Sequence, residues 1–159
     1  MFIKELVPRR AVATIARLVY GENYTRVPMS HRIERDASVA TIRAEYAWRY
    51  GKEKCRMRIE TEGANFIPEE GSEEQFITEH YWGYSAQSDG GCLEYEVRHA
   101  PWEVWRARQA DFAGDAAPLY GAEIARVLRN QPDSAFLAAG SPVTVFRANQ
   151  LYQNSRSER

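Results

Sequence analysis

Residues 93–98 read Leu93-Glu94-Tyr95-Glu96-Val97-Arg98, and no other stretch limits the fold as firmly. Strict alternation of apolar and charged residues has a period of two, which a strand buried on one face satisfies and a helix does not. Leu93, Tyr95 and Val97 are expected to share the buried face, with Glu94, Glu96 and Arg98 on the wet one. A strand of that kind cannot stand alone. Its backbone groups need partner strands, and its apolar face needs a covering layer. The turn signal Ser88-Asp89-Gly90-Gly91 introduces it.

Partners follow from the same logic. Residues 39–49 and 54–60 read as a β-hairpin joined at Tyr50-Gly51-Lys52, with Tyr46 and Trp48 on one face. Residues 102–108, after Pro101, are expected to be the antiparallel neighbour of 93–98. Residues 134–138 and 143–146 close the chain as strands, separated by Gly140-Ser141-Pro142. At the other end, residues 2–7 form an apolar strand that stops at Pro8 and feeds a helix carrying Val12, Ile15, Leu18 and Val19 at helical spacing, ended by Gly21.

A second helix is expected to start where Ser72 caps and Gln75 reaches back as a capping box, and to run through Tyr84. A third covers 118–128, with Leu119, Ile124, Val127 and Leu128 inward. About seven mostly antiparallel strands and three helices define an α+β fold, with a curved sheet or a partial, cone-shaped barrel. At 159 residues the expectation is one domain over 1–152 with a frayed tail, 153–159. The first strand has nothing before it to pair with, so a homo-oligomer formed by strand addition at that edge is a further expectation.

Charge and cysteine content narrow the function classes. Lys and Arg number 21 against 22 Asp and Glu, without a basic stripe, so nucleic acid is not an expected partner. Cys55 and Cys92 lie far apart without metal-ligand spacing, so free, partly buried thiols are expected rather than a disulfide or a metal site. No apolar run approaches the ~20 residues needed to cross a bilayer, and residues 1–5 have no signal-peptide core. The expected setting is cytoplasmic, with no cofactor and no membrane partner.

Several linked motifs go beyond generic pattern. They are Phe2-Ile3-Lys4-Glu5-Leu6-Val7-Pro8-Arg9-Arg10, Tyr20-Gly21-Glu22-Asn23-Tyr24 with Val27-Pro28-Met29, and Phe76-Ile77-Thr78-Glu79-His80-Tyr81-Trp82-Gly83-Tyr84. Leu93 to Val97, His99-Ala100-Pro101-Trp102 and Gly140 to Val145 complete the set. Together they resemble the YqjF-like family, domain of unknown function 2071, over almost the whole chain. That family is placed in the acetoacetate-decarboxylase-like superfamily, so the resemblance implies a cone-shaped β-barrel with an internal small-molecule pocket. It also implies further N-terminal strands in other members, before the position of Met1. Decarboxylases of the superfamily carry a Pro-Lys-Lys after the corresponding Gly, whose lysine forms a Schiff base with a keto substrate. Here the loop reads Gly21-Glu22-Asn23-Tyr24-Thr25, with Arg26 next, so Schiff-base chemistry is not implied.

Candidate site residues come from both sources. The resemblance puts Tyr24 and Arg26 at the pocket. On the first strand, alternation turns either Lys4 or Glu5 toward an apolar side, which makes Lys4 a candidate nucleophile or an edge-blocking charge, and Glu5 a candidate ligand contact. Glu79 and His80, on the expected second helix with Phe76 and Tyr84 a turn away, are the candidate catalytic acid–base pair, against a purely structural histidine. His31 is assigned to ligand binding, and Arg32 and Arg98 have the fork that clamps a carboxylate, although Arg98 alternates outward and equally fits a surface ion pair. The leading expectation is a small-molecule domain for keto or carboxylic acids. The alternatives are a lysine-independent lyase or hydratase using Glu79 or His80, and an oligomerising module.

Overall fold

The structure is a computed structural model that describes residues 5–10, 24–87 and 90–152. The chain divides into two compact units, one from Val27–Thr78 and Pro101–Gly140, the other from Met1–Arg26, Glu79–Ala100 and Ser141–Arg159. Strands dominate, the helices are short, and among the described residues no sheet closes into a barrel. The architecture is α+β with antiparallel sheets.

The first unit is built on a five-stranded sheet in the order β3-β4-β5-β8-β9. Its strands are β3 (Met29–Asp36), β4 (Thr41–Tyr50), β5 (Glu53–Phe66), β8 (Val104–Ala113) and β9 (Phe136–Ala138). The expected hairpin is present: β4 turns into β5 at Gly51, whose positive φ of 60° suits a residue without Cβ. Ile42, Ala44, Tyr46 and Trp48 share one face, on which Ile42 and Ala44 are buried. The ladder between β5 and β8 shifts register after Glu60, which is how a long antiparallel pair bends. At that shift Thr61 is fully buried, and its hydroxyl oxygen accepts the Ile42 N–H at 2.9 Å. The unit's helices are α1 (Glu73–Thr78), α2 (Ala117–Tyr120) and α3 (Ala122–Val127).

The second unit centres on β7 (Cys92–Arg98), the alternating strand of the opening argument. It pairs antiparallel with β6 (Trp82–Ala86), β10 (Thr144–Val145) and β11 (Asn149–Tyr152). Separately, β1 (Glu5–Val7) and β2 (Tyr24–Arg26) form a parallel pair.

Five expectations are corrected. Residues 24–26 and 29–36, given no element in the sequence reading, are strands; β3 shows no burial period because residues 30–36 are all exposed, so pairing with β4 rather than a buried face defines it. Residues 104–113 pair with β5 and β9, not with β7, whose ladders go to β6, β10 and β11. The second helix ends at Thr78, not Tyr84: the Thr78 hydroxyl bonds back to the Glu74 carbonyl at 2.7 Å, and the aromatic residues Trp82 and Tyr84 suit a strand. A Cβ at Gly83 would sit 2.1 Å from the Tyr95 ring, so glycine lets that ring lie across β6. The expected 118–128 helix breaks at Gly121 (φ 85°, ψ 163°), which leaves Val127 exposed. Finally, β1 has a partner, β2, that lies downstream of it in sequence.

The Ser72 cap is present, its oxygen accepting the Gln75 N–H at 3.1 Å, while the Gln75 side chain reaches one residue further back, to the Gly71 N–H at 2.7 Å. The first helix expected from Val12 to Val19, residues 2–4, the turn at 88–89 and the tail at 153–159 fall outside the described residues.

Candidate functional site

Antiparallel register arranges side chains in rows across a sheet, and rows two residues apart share a face. One row of the five-stranded sheet runs Ser30, Ala47, Arg56, Ala113. The next row on that face has Arg49 opposite Lys54, with the Arg49 N–H donating to the Pro28 carbonyl at 3.0 Å. Serine and two alanines leave little side-chain volume above the strands, and a groove of about 600 Å³ results. Gly114 closes one end at φ 122°, where a Cβ would meet the Lys54 carbonyl at 2.5 Å and Cys55 Cα at 2.8 Å. Only glycine fits there without a backbone shift.

Among the described residues the lining contains three cations, Arg49, Lys54 and Arg56, and no carboxylate. Arg56 Nε is a buried donor with no acceptor among the described residues; the nearest carboxylate, Glu45, stands 3.9 Å away, beyond hydrogen-bond reach. Arg49 and Lys54 have no ion-pair partner among the described residues. Trp48 Nε1 is a second buried donor without a partner, but it lies on the other face, since Trp48 sits opposite Cys55 while Arg56 sits opposite Ala47. One ligand cannot take both donors.

Beneath the groove, Cys55 is 2% exposed and its thiol donates to the Asp115 carbonyl at 3.4 Å. Burial, then the charges of Glu53 and Asp115, push that thiol above its ordinary pKa, so it is a packed, protonated side chain rather than a nucleophile. Cys55 and Cys92 are unbridged, as expected.

The same face carries a different surface two rows away. Arg43 bonds Glu60 at 2.9 Å, Arg58 bonds Glu45 at 2.5 Å and Arg32 pairs with Glu34 at 2.5 Å, while Arg108 stands 3.8 Å from Glu60. The Arg58 hydrogen bond holds the Glu45 carboxyl below its ordinary value, and Arg43 does the same for Glu60. Each cation in this lattice has an acid beside it.

The expected site residues are dispersed. On β3, Arg32 shares the groove's face but is engaged with Glu34, whereas His31 points to the opposite face and stacks on Tyr46 with centroids 5.6 Å apart. Glu5 stands opposite Tyr24, and Val7 opposite Arg26, in the parallel pair of the second unit. Glu79 and His80 lie in the connector after α1 rather than on a helix, so Phe76, His80 and Tyr84 do not form one face. Glu79 accepts the Tyr81 hydroxyl; burial, then Glu79, raise that phenol's pKa, and its ring lies 5.1 Å from His99. Arg98 takes the surface role, pairing with Glu96 at 2.5 Å over the Phe146 ring. Lys4 falls outside the described residues. The cations of the groove were not among the expected site residues. Their signal was the alternation Lys54, Arg56, Arg58 on a strand whose facing partner, Ala47, is small.

Comparison with known proteins adds kinship. The profile of a family described as an uncharacterized conserved protein matches residues 1–142. The chain belongs to the DUF2071 family. The YqjF-like resemblance therefore holds over nearly all of this DUF2071 chain. No match was found among curated proteins or among solved structures. In the DUF2071 chain no helix among the described residues is long and apolar enough to cross a membrane, and no cluster of His, Cys, Asp or Glu there has the makings of a metal site.

Proposed function

We propose that this DUF2071 chain is a small-molecule-binding domain of the acetoacetate-decarboxylase-like type, which takes a small keto or carboxylic acid in the cation-lined groove without forming a Schiff base. One observation carries the reading: among the described residues, Arg56 Nε is buried without an acceptor, and Arg56 lines a groove whose charged residues are all cations. An unsatisfied buried donor costs ~1–3 kcal/mol, more for a charged group, and a carboxylate or keto oxygen would remove that cost. Arg49 and Lys54 would add attraction at the rim, and the alanine floor suits a flat, compact body.

The loop Gly21-Glu22-Asn23-Tyr24-Thr25 offers no amine, and Lys54, exposed on β5, acts in this reading as a charge. Tyr24 and Arg26 stay candidates through the family resemblance, and Glu5, His31 and Arg32 through the sequence reading alone. A family match running from residue 1 to 142 supports treating the chain as one functional domain.

Calorimetry and thermal shift with 2-oxobutanoate, benzoate and acetate test this reading. Saturable binding is expected, lowered about tenfold or more in Arg56→Ala by loss of a charge-assisted hydrogen bond. Borohydride treatment in the presence of the keto acid should leave the protein mass unchanged. Absence of binding by any of these acids, or undiminished binding in Arg56→Ala, overturns the proposal.

A further inference from the structure

The outer edge of β3 is the longest open strand edge of the five-stranded sheet. Among the described residues β3 pairs only with β4, and residues 30–36 are all exposed. Exposed edges recruit strands unless something blocks them, and β3 carries neither a proline nor a bulge over its eight paired positions.

Its hydrogen-bonding phase can be assigned. The Arg49 N–H bonds the Pro28 carbonyl, and register then runs unbroken from Met29 opposite Trp48 to Asp36 opposite Thr41. Even-numbered residues of β3 therefore turn their amide groups toward β4, and Met29, His31, Ile33 and Arg35 turn theirs outward.

We propose that a second copy of this chain pairs antiparallel along that edge, about a two-fold axis at Ile33. In this register Ile33 meets Ile33 of the second copy, and the outward amides at 31, 33 and 35 find acceptors. Arg32 meets Glu34 of the second copy twice, once on each side of the axis, and Ser30 meets Asp36. The Arg32–Glu34 contacts fall at non-hydrogen-bonded positions, where strands approach to ~4.5 Å between Cα atoms and side chains meet most closely. Sliding the pair to the neighbouring in-phase registers sets Arg32 against Arg32 or Glu34 against Glu34. Like charges directly opposite are destabilising, so the charge pattern selects one register.

Within one copy Arg32 and Glu34 already pair at 2.5 Å with side chains 77% and 50% exposed, so both are accessible for exchange. His31 opposite Arg35 is the one contact without attraction. This interface is isologous and closes as a dimer with a continuous sheet. It places self-association on β3, not on the first strand, and it does not depend on the ligand proposal.

Sedimentation equilibrium over a concentration series, with circular dichroism to verify folding, tests it. The wild type should dimerise. Arg32→Glu and Glu34→Arg should each raise the dissociation constant about tenfold or more, and the double variant Arg32→Glu/Glu34→Arg should restore it, because the pairing is complementary again. Ile33→Pro should give a folded monomer, since only an outward N–H is lost. A wild type that stays monomeric at millimolar concentration overturns the proposal. So does a dimer that the single variants leave intact, or one that the double variant fails to restore.

Discussion

Two patches of one sheet face, two rows apart, use the same residue types to opposite ends. Around Arg43, Glu45, Arg58 and Glu60 each cation has an acid within reach, and the groove there, about 430 Å³, is electrostatically closed on itself. In the groove by Ser30, Ala47 and Ala113, Arg56 has small neutral neighbours across the strands, and Arg49 and Lys54 face each other. Placing alanine where the lattice has glutamate removes both a counter-charge and side-chain volume. The first patch pairs its charges within itself, whereas the second presents cations with no carboxylate among its described lining residues. Charge count along the strands does not separate the two; cross-strand register does.

The largest test of this contrast is Gly114→Ala. A Cβ there collides with backbone of β5 and would have to adopt a positive φ, so a stability loss of roughly 2–4 kcal/mol is expected in urea unfolding, with the groove deformed. Retained stability would mean the groove's end is pliable. Next comes Ala47→Glu, which copies the lattice into the groove. The new carboxylate should take Arg56 as its partner, and acid binding in calorimetry should fall about tenfold or more. Unchanged binding would place the ligand elsewhere.

The smallest effect is expected from acidification of the lattice. Glu45 and Glu60 have folded pKa values below the ordinary 4.5, so their stabilising contribution is complete above that pH and is lost as pH falls through the lower folded values. Unfolding midpoints should drop slightly from pH 5 to about pH 3, less so at high salt and less so in Glu45→Gln. A midpoint that rises on acidification would contradict the assigned pairs.

Legibility in the sequence tracked burial. Residues 93–98 and the hairpin at Gly51 were readable because one face of each is apolar or a turn residue marks the join. β3 was not, because its seven exposed residues leave no hydrophobic period to detect. The helix expected to reach Tyr84 failed for a related reason: Phe76, His80 and Tyr84 match helical spacing, yet Phe76 is 73% exposed and the chain after Thr78 turns to pair with β7. The strand expected over 102–108 is present as the longer β8, but it joins β5 and β9 rather than β7, since adjacency in sequence says nothing of which ladder a long strand joins.

For the site, the sequence supplied the cations but not their company. Along the chain, Lys54 and Arg56 have Glu53, Glu60 and Glu62 near them. In the structure Lys54 sits opposite Arg49 and Arg56 opposite Ala47, while Glu60 pairs with Arg43. What the sequence determined by itself was the α+β class, the DUF2071 kinship and the strand at 93–98, all properties of neighbours along the chain, whereas the expected alternation of burial on that strand is absent, since Cys92 to Val97 are all half-buried. Which cations stand unpaired, which donor is left without an acceptor and which strand keeps an open edge were decided by the tertiary structure. The reason is physical: those properties belong to residues that meet only across strands, and a shift of one register position would reassign all of them.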